Sequence, residues 1–247
     1  MVAVTTPVIA LWAVPRSRST AFLRMLIERG DLAVVHEPFS NLYAVGHFDI
    51  DGDRAHSTGE LFELILALGE RTGRRVFLKE TTDYPYDEIL RDGRVYTAVT
   101  NTFMIRDPAA VVASHFAMNP GLARDEIGFE RLHGMFAAVR DATGRLPLVL
   151  DGDEVAAAPE PATARFCEVT GLPYRPEALR WQSGEQAAFD RTRAWHVDVE
   201  ASTGFTVRAT RHEVRPDNDP RLAALDAYHR PFYEAMREVR FAPVTTG

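Results

Sequence analysis

Short apolar runs alternate with helix-patterned segments through the first 150 residues, and no other feature limits the possible folds so tightly. Val8 to Val14 is an apolar run ended by Pro15, and Ala21 to Ile27 supplies almost continuous apolar surface, so the pair reads as strand, turn and buried helix. "DLAVVHEPF", Asp31 to Phe39, has the same strand character and closes on His36 and Glu37 before Pro38. Residues 40–56, rich in Gly, Asp and His, read as loop. "STGELFELILALGERTG" is a helix with apolar positions at Leu61, Phe62, Leu64, Ile65 and Leu68, started by Ser57 or Thr58 and stopped by Gly73. "RRVFLKE" is the next strand. "NTFMIRDPAAVVASHF" is again strand then helix, with Asp107 as N-cap and Pro108 at the first helical position, and "LPLVLDGDEV" is the last strand. Helices at about 128–143, 159–170 and 219–238 complete the pattern. Such alternation predicts an α/β fold whose central parallel sheet is covered on both faces and binds its ligands at the carboxyl ends of the strands.

No linker-like run divides the 247 residues, so residues 1–247 are expected to form one domain; a split near residue 215 is the weaker alternative. The net charge of −7 argues against a chain that coats nucleic acid or an anionic membrane, so any anion site must be a local cluster. Cys167 stands alone, which allows no internal disulfide or cysteine cage and suits a reducing compartment, the cytoplasm by default. The opening "MVAVTTPVIALWAVP" lacks a basic flank, and its apolar run is too short to cross a bilayer, so it reads as a core strand. No H-x3-H or HExxH spacing calls for a metal.

Two corners carry chemistry. In "LWAVPRSRSTAFLRML" the turn into the first helix holds Arg16, Ser17, Arg18, Ser19 and Thr20, and a helix N-terminus there offers unpaired N–H groups and a positive dipole to a phosphate or sulfate. It is not a Walker A loop, because no glycine occurs between Met1 and Gly30 and the phosphate-reaching lysine is missing. In "IRDPAAVVASHF", Arg106 ends a strand and Ser114 lies about two helical turns on, so the two can converge on one anion. "LVLDGDE" imitates a magnesium-holding strand end, although Asp151 or Asp153 capping the next helix explains it as well.

Taken in order, strand–"PRSRST"–helix, "HEPF", "FLKE", "IRDP" with its R-x-P-x5-S element, the "DGD" strand end and Trp195 with "STGF" (Ser202, Thr203, Gly204, Phe205) resemble the sulfotransferase family, and its bacterial branch in particular. The resemblance spans about residues 8–205 and implies a P-loop-like, three-layer α/β/α fold with a helical C-terminal part. It implies 3′-phosphoadenosine 5′-phosphosulfate (PAPS) as co-substrate, no metal, and a small-molecule acceptor with a hydroxyl or amino group. Carried over by position, Arg16, Ser17, Ser19 and Thr20, with Arg18, would hold the 5′-phosphosulfate; Arg106 and Ser114 would hold the 3′-phosphate; Ser202, Thr203 and Gly204 would complete the nucleotide site. Lys79, the only lysine among 28 Lys and Arg residues, would touch the transferring group together with Arg16. Glu37 is the first choice of base and His36 the second, with Glu80 and His115 behind them. Trp181 and Trp195 are candidates to stack on adenine or acceptor, and residues 40–72, 118–130 and 182–218 to shape the acceptor pocket. Many family members have lysine in place of Arg16 and glycine in place of Arg18, where glycine tolerates a left-handed or close-approach backbone that arginine does not readily adopt. The competing readings are a P-loop kinase-like phosphotransferase and a nucleotide-binding module without transfer chemistry.

Overall fold

The computed structural model describes residues 6–195, 197–207 and 211–243. Five strands form one parallel sheet: β1 (Val8–Ala13), β2 (Leu32–His36), β3 (Arg75–Thr81), β4 (Val99–Ile105) and β5 (Leu148–Asp151), in the spatial order β2-β3-β1-β4-β5. From β1 the chain runs to the edge strand β2, returns to fill the gap with β3, then crosses to the other side of β1 for β4 and β5. That reversal opens a crevice above the carboxyl ends of β1, β3 and β4, where parallel sheets bind ligands.

β1 shows why the strands are continuous apolar runs. Ile9, Leu11 and Ala13 face one core with Phe22 and Leu23 of α1 (Ser19–Glu28) and Phe166 of α7 (Pro159–Thr170). Val8, Ala10 and Trp12 face the opposite core with Leu61 and Ile65 of α3 (Thr58–Thr72), Leu132 and Phe136 of α5 (Phe129–Thr143), and Leu222 and Tyr233 of α8 (Pro220–Arg237). Successive side chains of a strand point to opposite faces, so a strand covered by helices on both must be apolar at every position. The result is the three-layer α/β/α arrangement expected from the sequence.

Helix ends follow the local chemistry. Ser57 accepts from Glu60 N at 3.3 Å and Glu60 returns an acceptor to His56 N at 2.8 Å, so α3 begins with reciprocal caps, and Gly73 leaves it in the left-handed region. Asp107 caps α4 (Pro108–Phe116) through Ala109 N at 2.9 Å. Asp151, not Asp153, caps α6 (Gly152–Ala157), accepting from Asp153 N at 2.9 Å and Glu154 N at 3.3 Å.

Residues 40–56 are not loop. Pro38–Val45 forms helix α2, and Phe48–Ile50 pairs antiparallel with Asp53–Ala55. The hairpin turns on Asp51 (φ 52°) and Gly52 (φ 88°), the Asp-Gly pair that a two-residue turn with positive φ prefers. Its strands are only three residues long, too short to show an alternating pattern.

Candidate active site

One cavity of about 790 Å³ opens above the crevice, a volume suited to a nucleotide-sized ligand. Strand register puts its chemistry on one level. Lys79 lies beside Leu11 of β1 and His36 of β2, while Ala13 lies beside Thr81 and Met104. The loop after β1, the residues after His36 and the ends of β3 and β4 therefore converge.

Arg16, Arg18, Ser19 and Thr20 line this cavity, together with Lys79, Glu37, Arg106, Ser114, Ser202 and Gly204. Ser17, Thr203 and His36 are not in its wall. Ser17 is fully buried beneath the loop, with its hydroxyl unpartnered. Thr203 turns its carbonyl to Trp181 N at 3.2 Å. His36 is buried behind Glu37, its Nδ1 donating to Ala188 O at 3.0 Å and its Nε2 lying 3.3 Å from Glu37 Oε1. Serines 17 and 19 are two apart in a turn, and spacing alone does not say which faces inward.

The loop is held by arginines. Arg16 Nε donates to Ser114 Oγ at 2.9 Å and Nη1 to Trp195 O at 3.1 Å. Arg106 Nη1 donates to Arg16 O at 3.1 Å, and Arg106 Nε to Asp153 Oδ2 at 3.0 Å. Arg18 Nε meets Asp153 Oδ1 at 2.5 Å. Ser114 is thus tied to Arg16 and not to Arg106, although both line the cavity. Burial pulls the Arg16 guanidinium below its usual pKa; Asp198 raises it and Arg106 lowers it. His115, one of the remoter base candidates, lines the cavity and sits edge-on to Trp195 at 5.6 Å. Burial, aided by the Arg16 charge, pushes it down to about 4. A proton on that imidazole is therefore disfavoured at neutral pH. His212 is lowered by burial and then by Arg16 and Arg106. The positive field that all three groups register is one an anion would relieve.

Arg16 (φ 61°), Arg18 (φ 69°) and Glu37 (φ 47°) are three of the four non-glycine residues with positive φ among the described residues. Strain of this kind, about 1–3 kcal/mol each, persists where surroundings over-determine the backbone and clusters at functional sites. Arg18 thus adopts a left-handed conformation that costs glycine little and other residues more. Both Arg18→Gly and Arg18→Ala lose the Asp153 contact, but only Gly relaxes the backbone. Urea denaturation should find Arg18→Gly more stable than Arg18→Ala by about 1 kcal/mol; equal stabilities would refute strain at this position.

Lys79 is buried and donates to Glu37 Oε1 through Nζ in a very short contact, and Glu37 N donates to Lys79 O at 2.7 Å. Burial alone would raise the Glu37 carboxyl, but Lys79 and then His36 hold it well below the usual range. Glu80 is a scaffold. Its Oε2 accepts from Phe39 N at 2.7 Å and Ser40 N at 3.3 Å, which pins the start of α2 beside Glu37. Burial and then the Glu37 charge push Glu80 up to about 8, against the pull of donors from Ser40, Thr81 and Phe39.

Trp181 is core, 4% exposed and edge-on to Phe205, while Trp195 lines the cavity near Arg16. Of the stretches expected to shape the acceptor pocket, residues 40–44, Trp195, residues 198–206 and residues 212–217 contribute to the cavity wall, and 118–130 do not. Sequence reasoning missed Asp83, Tyr84, His212 and Arg215, all cavity residues standing outside any motif.

A family model described as "Sulfotransferase domain" matches residues 7–240. Two curated relatives from Arabidopsis thaliana, branched-chain-amino-acid aminotransferase-like proteins 2 and 1, are 25% and 26% identical over 81% and 93% of this chain. The chain spans only 36% and 41% of their lengths. A solved sulfotransferase domain from the curacin biosynthetic pathway superposes with a TM-score of 0.48 at 12% identity, covering 96% of this chain and 93% of that one.

Proposed function

This chain belongs to the sulfotransferase family, and from that premise we propose that it transfers a sulfuryl group from PAPS to a hydroxyl or amino group of a small-molecule acceptor. The observation that carries this reading is the single cavity in which a basic, left-handed loop and the Lys79–Glu37 pair face the same space. PAPS supplies the sulfuryl group and leaves as adenosine 3′,5′-bisphosphate (PAP).

Arg16, Ser19 and Thr20, with the N-terminus of α1, hold the 5′ end of the nucleotide; Arg18 at the N-cap offers no side-chain oxygen to compete for the helix N–H groups. Arg106 and Ser114 hold the 3′-phosphate, and Ser202 and Gly204 border it. Ser17 supports the loop from below. Glu37 takes the acceptor's proton as the acceptor oxygen or nitrogen bonds to sulfur and the bond from sulfur to the phosphate oxygen breaks. Lys79 and Arg16 stabilise the charge that builds on the leaving oxygen, and such positioned cations are usually the largest part of catalysis in group transfer of this type. As Lys79 turns toward that charge it releases Glu37, whose basicity then rises when the proton arrives.

A phosphotransferase reading needs the acid at the end of β5 as a metal ligand. Asp151 instead spends its carboxylate on α6 N–H groups and lies outside the cavity wall. A cytoplasmic setting suits the lone, buried thiol of Cys167, and no described helix is long and apolar enough to cross a membrane.

Arg106→Ala should weaken PAP binding by about ten- to hundred-fold, the worth of a charge-assisted contact. Unchanged affinity in calorimetry would remove Arg106 from the nucleotide site. The function itself is tested by incubating the protein and PAPS with a metabolite extract and following mass. A product heavier by one sulfuryl group, absent without PAPS, is expected; tight PAP binding with no such product would favour the module without transfer chemistry.

A further inference from the structure

At the end of the cavity toward β1 and β4, Arg16, Arg18, Arg106 and Arg215 alternate with Asp107, Asp198 and Asp217, and each of these carboxylates has an arginine beside it: Arg230 for Asp107, Arg215 for Asp217 and Arg16 for Asp198. The end formed by α2 and residues 81–84 presents Glu37, Lys79 and Asp83 as its charged groups, with Asn41, Ala44 and Tyr84 between them. Glu37 is neutralised by Lys79. Among the described residues, no ammonium or guanidinium lies within ion-pair distance of the Asp83 carboxylate. Arg131, its nearest basic neighbour in the hydrogen-bond network, donates at 2.9 Å to the Asp83 backbone carbonyl and directs Nη2 to Asp125.

Asp83 Oδ1 is shielded from solvent and has no hydrogen-bond partner. An unpaired buried carboxylate oxygen is costly and is normally matched by a cation. Burial pushes the Asp83 carboxyl up to about 6, opposed by a hydrogen bond from the Thr81 side chain and by the Lys79 charge and aided by the Glu37 charge, and an ammonium beside it would favour its charged form. The Tyr84 ring lies 4.7 Å from that of Tyr43, an exposed residue of α2, and the faces of such rings attract cations.

We propose that this end of the cavity recognises a protonated amine, so that the acceptor is a hydroxylated amine whose ammonium group pairs with Asp83 beside the Tyr43–Tyr84 rings while its hydroxyl faces Glu37 and Lys79. The proposal rests on the sulfuryl-transfer reading and names its substrate class. Asp83 is then a specificity-determining residue that touches substrate away from the bond being made.

The test is calorimetric, on protein saturated with PAP. Two matched pairs are titrated: tyramine against 4-ethylphenol, and 4-amino-1-butanol against 1-butanol, with wild type and with Asp83→Asn. In at least one pair the amine should bind wild type about ten- to hundred-fold more tightly than its neutral partner, and Asp83→Asn should erase the difference while retaining PAP affinity. The proposal is overturned if neutral compounds bind as tightly, if neither pair binds, or if Asp83→Asn leaves the preference intact. It is equally overturned if the variant slows sulfation of amine and neutral alcohols alike without changing their binding, since that would place Asp83 in proton transfer. Failure of PAP itself to bind sinks the donor assignment instead, so the two readings fail separately.

Discussion

Glu37→Gln is expected to lower turnover by about 10²- to 10⁴-fold while leaving PAP affinity nearly unchanged. Glutamine keeps the shape and loses the proton-accepting charge, and Glu37, an acceptor-only carboxylate paired with Lys79, is assigned no contact with the nucleotide. The pH dependence follows from the same pair. Lys79 and His36 hold the carboxyl well below the ordinary range, so Glu37 is ionised in the free enzyme down to unusually acid pH. Activity that needs the carboxylate is lost as pH falls through its depressed pKa, so the acid limb of kcat/KM should lie below the usual glutamate range. Lys79→Ala removes the main group that lowers this pKa and leaves the burial that raises it, so the limb should move to higher pH while kcat also falls. A Glu37→Gln variant that turns over like the parent, or an acid limb unmoved by Lys79→Ala, would show that the base is another group.

Gly152→Ala should be the most disruptive small substitution in the molecule. A Cβ at Gly152 would stand 1.9 Å from Ser17 O and 3.0 Å from Ser17 C, so the loop carrying Arg16 and Arg18 must move by an ångström or more. Overpacking of this kind costs about 1–3 kcal/mol, and misplacing catalytic groups by about 1 Å costs about 10²-fold in rate. Asp153, which holds Arg18 and Arg106, is the next residue and would shift with it. Gly134→Ala, on an exposed face of α5 where an added Cβ meets nothing within 4 Å, is the control and should be neutral or gain up to about 1 kcal/mol. Urea melts and PAP titrations on both variants separate the cases. Wild-type behaviour of Gly152→Ala would mean that the loop and the start of α6 are not packed as described.

The contact explains a motif that was visible in the sequence but not understood there. "DGD" was legible as a strand end; that its glycine admits the Ser17 carbonyl is a contact across 135 residues, which local spacing does not encode. The same limit governs Arg106 and Ser114. Helical periodicity puts Ser114 about two turns from Arg106, but Arg106 is drawn to Asp153 in α6 and Ser114 to Arg16 in the loop after β1. The layers were legible because strands buried on both faces leave an unmistakable apolar signature, as in β1. The Asp51–Gly52 hairpin was lost because three-residue strands leave none. Asp83 and Arg215 were invisible for another reason: a single polar residue acquires meaning only from what the fold sets opposite it.

The basic loop and the ends of β3 and β4 together are expected to form one socket for a bisphosphorylated adenosine. Calorimetric titration with PAP, with and without magnesium, tests it most directly. Binding at micromolar concentration or below, indifferent to magnesium and weakened by Arg106→Ala, is the expected result. No binding of PAP, or a clear preference for ATP with magnesium, would contradict the account.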